Sequence, residues 1–286
     1  MRYSETVGYQ RAKIGQECVR LCFEPRWVPV PFPHSPIWAR LCKMFDPEYF
    51  QHAFPPPDLG RPDMNTEEMA GLRALRCPIN PAGSNEVVLP SEFAPLLPMV
   101  RHVFETEAHI NPNFAAWWCH LSFERTEVTA GTTQRVPGWH LDGFQGVRVP
   151  RHAAEHSYLW ADRDPTEWCL QPLFLSHLDS ARHNIFDEIA RQARESNAFA
   201  GLAGHVHLID PYVVHRSPVL YELGWRSFVR ITFTKTELED PANTVNLSLL
   251  GVGNYPPRIE ARDRLYAYQG GVPWETYGTR PVQSVV

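Results

Sequence analysis

Proline sets the first limit on what this chain can fold into. It supplies 27 of 286 residues, roughly twice the ordinary share of about 5%. Proline lacks an amide hydrogen, and its ring clashes with the preceding helical turn. A long-helix bundle or a coiled coil is therefore excluded. The distribution says more than the total. Fifteen prolines fall within residues 1–98, where PRWVPVPFPHSP (25–36) and FPPPDLG (54–60) are punctuated too densely for regular elements. Residues 114–136, 173–210 and 219–240 contain none. The expected organisation is one domain over 1–286, with a proline-rich cover and short helices over 1–112. A regular core follows over 113–240, and a C-terminal extension packed on it over 241–286.

Composition supports a real interior, with 43% hydrophobic residues and nine Trp in a chain long enough to bury roughly 75% of its unfolded surface. A net charge of −5 without a basic stripe argues against nucleic acid as a partner. No run of 18 apolar residues is present, so no membrane helix is expected. The polar start MRYSETVGYQRAKIG lacks the apolar stretch of a secretory signal. Six cysteines are scattered, with only Cys18 and Cys22 close together, which suits reduced thiols and a cytoplasmic setting.

Two stretches alternate as strands do. In FAAWWCHLSFE (114–124) a period of two puts His120, Ser122 and Glu124 on one face and Cys119, Leu121 and Phe123 on the other. In WRSFVRITFTK (225–235), Val229, Ile231 and Phe233 oppose Arg226, Phe228, Arg230 and Thr232. HVHLID (205–210) is a third candidate. Helices are expected within 182–199, where Ile185, Phe186, Ile189, Ala190 and Ala193 recur at helical spacing, and after Pro98. Short helices are expected at 36–52 and 65–75. YLWADRDPTEW (158–168) reads as a surface loop or a lid.

The chemistry-bearing segment is WHLDGFQG (139–146). His140 and Asp142 are two apart, so on extended chain both leave the same face, and an imidazole and a carboxylate side by side can share one divalent ion. His215, at the end of GHVHLIDPYVVHR, would complete a set of two histidines and one carboxylate. That is the donor set of non-haem Fe(II) sites with open positions. His205 and His207 are alternative sources of the second imidazole. Arg226 and Arg230 follow His215 by 11 and 15 residues, and an arginine can grip a carboxylate through paired, charge-assisted hydrogen bonds.

This ordering, H-x-D, then a distal His, then R-x-S/T, spans about residues 114–235 and resembles the Fe(II)/2-oxoglutarate-dependent dioxygenase superfamily. The resemblance implies a mainly β fold with flanking helices (α+β) on a double-stranded β-helix, or jelly-roll (cupin-like), core of about eight strands. It implies an oxidoreductase holding Fe(II) on His140, Asp142 and His215, with 2-oxoglutarate as co-substrate and O2 as oxidant. Such an enzyme hydroxylates a C–H bond of a small molecule, here an amino acid or natural-product intermediate, and releases succinate and CO2. Desaturation and cyclisation are variants. Halogenation is disfavoured, because related halogenases replace the carboxylate that Asp142 supplies.

Arg230 with Thr232 is the first choice for the distal carboxylate of 2-oxoglutarate. Arg226 is the competitor, about 13 Å away along the same face at ~3.3 Å per residue. Substrate contacts are expected from Arg135, Trp139, Gln145, His120 and Trp160. Asp210 either orients His215 or caps the turn into Pro211. Two other classes stay open: a cupin-like metalloenzyme that does not use 2-oxoglutarate, and a non-catalytic jelly-roll binding module.

Overall fold

A computed structural model describes residues 18–22, 46–111, 113–135, 137–142, 156–178, 185–238 and 243–249. In chain order the elements are β1 (Cys18–Cys22), β2 (Arg73–Asn80), β3 (Glu86–Pro90), α1 (Leu97–Ile110), β4 (Trp118–Val128) and β5 (His156–Ala161). They continue with β6 (Glu167–Cys169), α2 (Ile185–Gln192), β7 (Ala198–Ala200), β8 (His207–Ile209), β9 (His215–Arg216) and β10 (Gly224–Thr234). Short 3-10 turns occupy Pro47–Gln51 and Glu67–Met69, inside the two segments where short helices are expected.

The two longest strands, β4 and β10, pair antiparallel at the centre of a five-stranded sheet ordered β2-β4-β10-β5-β8. Their alternation sorts the sheet into two faces. Leu121 stands opposite Ile231, and Phe123 opposite Val229. These residues join Tyr158 of β5 and the buried side of α1 (Met99, Val100, Val103, Phe104) in one hydrophobic core. Phe104 meets Phe233 edge-on at 5.2 Å, the spacing aromatic pairs favour. Pro98 lies in the first turn of α1, where its missing amide costs nothing. The other face carries His120 opposite Thr232, Ser122 opposite Arg230 and Glu124 opposite Phe228.

The jelly-roll expectation is corrected here. The described strands form three separate sheets, of two, five and three strands, and none closes into a barrel. In the five-stranded sheet, β2 and β8 are the outer strands and do not pair with each other. The third sheet, β7-β6-β9, is made of strands only two or three residues long. The fold is a mixed α+β arrangement. Alternation reports that a strand has two faces, but says nothing of which strand lies beside it. The proline-dense 54–60 stretch covers the outer edge of β8: Val206 donates to Gly60, Leu208 to Pro57, and Leu59 to Val206. Prolines without amide hydrogens end a ladder at an edge.

A second cluster, formed by Phe50, Trp139, Leu141, Leu173, Leu175, Ile185, Ile189, Tyr212 and Val214, lies apart from the first. Residues 243–249 lie against β2 and β3: the buried Asn246 donates to the carbonyls of Pro78 and Val88. Cys18, Cys22, Cys77, Cys119 and Cys169 are free thiols. Among the described residues no helix is long and apolar enough to cross a membrane.

Candidate metal centre

The second cluster explains where the candidate ligands point. In the extended segment 139–142, Trp139 and Leu141 are buried in that cluster, so a period of two sends His140 and Asp142 the other way. Gly138, at φ +89°, makes the turn that starts this segment, a conformation glycine adopts without strain. Val214 is buried in the same cluster, and His215 therefore faces away from it. Asp210 accepts from the Tyr212 amide at 2.9 Å and so caps the turn into Pro211, as one of the two readings of that residue expected. The two histidines then meet across a backbone bridge, His140 N to His215 O at 2.9 Å and His215 N to His140 O at 3.0 Å.

These elements bring His140, Asp142 and His215 together with one ligand atom from each within 4.8 Å of the others. The imidazole centroids are 4.4 Å apart, and His215 Nε2 lies 3.6 Å from Asp142 Oδ2. Each ring is held by a carbonyl two residues before it: His140 Nδ1 to Gly138 O and His215 Nδ1 to Val213 O, both 2.9 Å. A carbonyl only accepts, so Nδ1 is the protonated nitrogen and Nε2 keeps the lone pair a metal needs. Burial, helped by the neighbouring His140, lowers the His215 pKa to about 4 and keeps the ring neutral. Burial alone would raise the Asp142 pKa, but Arg230 and the two imidazoles outweigh it and hold the carboxyl well below the usual range. Two imidazoles presenting Nε2 and one carboxylate fit a divalent transition metal such as Fe(II).

Arg230 enters from β10, its Nη2 2.5 Å from Asp142 Oδ2. Its Nε donates to Thr232 Oγ1 at 3.2 Å, and Thr232 shares a 3.1 Å hydroxyl contact with Ser157. Arg226 is committed elsewhere. Its Nε donates to the carbonyls of Arg163 and Asp164, its Nη2 to Asp164 O at 2.7 Å, and its Nη1 to the Gln134 side-chain oxygen. Burial lowers its pKa to about 10.

The chain is distantly similar to a solved 2OG-Fe(II) oxygenase. That structure, an oxidoreductase of the 2OG-Fe(II) oxygenase family from Burkholderia pseudomallei, is 13% identical, with 70% of this chain and 75% of that one covered and a TM-score of 0.32. EvdO2 from Micromonospora carbonacea var. aurantiaca, alone and complexed with 2-oxoglutarate, is 15% identical over 53% of this chain and 67% of that one, TM-score 0.30. No protein-family profile and no curated protein matches.

The remaining expected residues are dispersed. His120 is buried on the Arg230 face beside Trp118, and burial pushes its pKa down to about 3. Arg135 lies on that face with its guanidinium 5.3 Å above the Phe228 ring and 3.7 Å from Glu124. Trp139 points away from the metal ligands. Trp160 is in the first core with its indole donating to Gly204 O. Gln145 lies outside the described residues. His205 pairs with Asp58, and the amide of Leu202 donates to His207 at 3.4 Å, so neither joins the triad. The 158–168 stretch is not a free lid: it holds most of β5, a turn and the start of β6. Trp168, paired across strands with His215 and 6.3 Å from it ring to ring, and Phe186, 6.3 Å from His140, wall the imidazoles. Neither residue is marked by a motif; only the three-dimensional pairing reveals them.

Proposed function

We propose that the chain is an Fe(II)- and 2-oxoglutarate-dependent oxygenase that oxidises a C–H bond of a small molecule. One observation carries the reading: two imidazole Nε2 lone pairs and a carboxylate converge beside an arginine from the neighbouring sheet. His140, Asp142 and His215 would hold the iron, and Arg230 with the Thr232 hydroxyl would take the distal carboxylate of 2-oxoglutarate. When bound, iron and 2-oxoglutarate together activate O2, giving succinate, CO2 and an oxidised product.

The protein's own part is positional. Gly138 and Val213 carbonyls fix the imidazole tautomers, and Trp168 and Phe186 shield the rings from water. Arg226 is the weaker candidate for the co-substrate, because its donors already serve backbone carbonyls and Gln134. Arg135, about a third exposed (32%) on the same face, gives a substrate carboxylate or phosphate a cation to meet. The test needs no known substrate. Purified protein given Fe(II), O2 and 2-oxoglutarate should form succinate slowly, and Asp142→Ala should abolish this. Metal binding without any 2-oxoglutarate consumption would remove the co-substrate from the reading.

A further inference from the structure

The two histidines are joined by a single backbone bridge, outside any strand on the His140 side. One bridge is a weak register lock, and a slip of one residue would turn His140 to the opposite face. Beyond the bridge, residues 139–142 and β9 share the apolar packing of the second cluster, where Trp139, Leu141 and Val214 are buried, and one polar side chain joins them as well. Arg216, next to His215, faces the second cluster. Its guanidinium lies 4.3 Å from the Trp139 ring centroid, the residue before His140. Its Nε donates to Glu167 of β6 at 2.6 Å, and Nη1 and Nη2 donate to the two carboxylate oxygens of Glu195 at 2.7 and 2.6 Å. Glu167 is its cross-strand partner. One side chain thus ties together β6, β9, the turn before β7 and the segment that bears His140. A planar guanidinium can make all these contacts at once, stacking on an aromatic face while two carboxylates fix its plane.

We infer that Arg216 is a positioning residue for the metal centre, setting the register of the two histidine-bearing segments through Trp139 without touching a ligand. This rests on the reading that the triad binds a metal, and deepens it.

Co(II) titration followed by visible absorption tests the idea on the full chain, since the ligand-field bands report coordination geometry and need no turnover. The wild type should bind one Co(II). Arg216→Met should keep the metal-free protein folded but weaken Co(II) binding about tenfold or more, as loss of groups that orient ligands does, and should alter the bands. Arg216→Lys, which keeps the charge and loses the fork, should recover only part of the affinity. Glu195→Gln changes an exposed partner and guards against misfolding at Arg216; it should weaken binding a few-fold. Wild-type affinity and spectrum in the folded variants, Glu195→Gln included, would overturn the inference and leave the metal reading standing. Failure of the wild type itself to bind Co(II) would overturn both.

Discussion

The guanidinium of Arg230 lies 2.5 Å from the carboxylate of Asp142, so the residue expected to hold the co-substrate is paired with a residue expected to hold the metal. A guanidinium at that distance competes with a cation for the same oxygen. Arg230→Met should therefore tighten binding of bare Fe(II) or Co(II) about tenfold while weakening 2-oxoglutarate at least as much. Calorimetric titration of each ligand separately reads both effects. Parallel weakening of both would mean that Arg230 orders Asp142 rather than competing for it.

Arg226 should behave differently. Its replacement by Met leaves the partly buried Arg163 and Asp164 carbonyls and Gln134 without their donor, at about 1 kcal/mol per hydrogen bond, and removes a side chain that is itself fully buried. Urea unfolding of Arg226→Met should show a loss of several kcal/mol. The same change at Arg230, 19% exposed, should cost about 1 kcal/mol or less. Equal losses would argue against this division of roles.

His120 gives a pH dependence with a definite sign. Burial, assisted by Arg76, lowers its pKa from 6.5 to about 3. Between those values the unfolded chain binds a proton that the folded chain does not. The stability is therefore complete above pH 6.5 and falls as the pH drops toward 3. Metal-free protein should unfold at lower urea at pH 4.5 than at pH 7, by a few kcal/mol in all. His120→Gln, which keeps an acceptor toward the Leu238 amide, should flatten this slope.

On the far face, Glu107 is fully buried and accepts from Tyr158 at 2.6 Å and from Asn111 at 2.8 Å, with His156 Nδ1 2.9 Å away. This polar cluster ties α1 to β5 and takes no part in the proposed chemistry. Tyr158→Phe should lower stability by about 1–3 kcal/mol, the cost of leaving a buried acceptor short of its donor. Metal affinity should be unchanged, and a coincident loss would connect the cluster to the site.

The sequence carried the candidate site further than the fold. Spacing alone put His140 and Asp142 on one face, and alternation alone put Arg230, Thr232 and His120 on one side of the central sheet, because a period of two is local. The distinction between Arg226 and Arg230 was not local: it depends on where the 163–164 turn and Gln134 come to rest. Trp139 and Trp160 read as substrate contacts by nearness in sequence, yet both turn into cores. The jelly roll failed for a related reason. Strand pairing is set by contacts between distant segments, and short strands such as His215–Arg216 have too few residues for any periodicity to show. An arginine beside a histidine, such as Arg216, has no pattern in sequence until Trp139, Glu167 and Glu195 surround it.

The most direct measurement is an anaerobic titration of the Fe(II)-loaded protein with 2-oxoglutarate, followed by visible absorption. A weak charge-transfer band requiring both components, saturating at one equivalent of each and missing in Asp142→Ala, is the predicted result. Folded, iron-loaded protein that shows no band at saturating 2-oxoglutarate would contradict the proposed function.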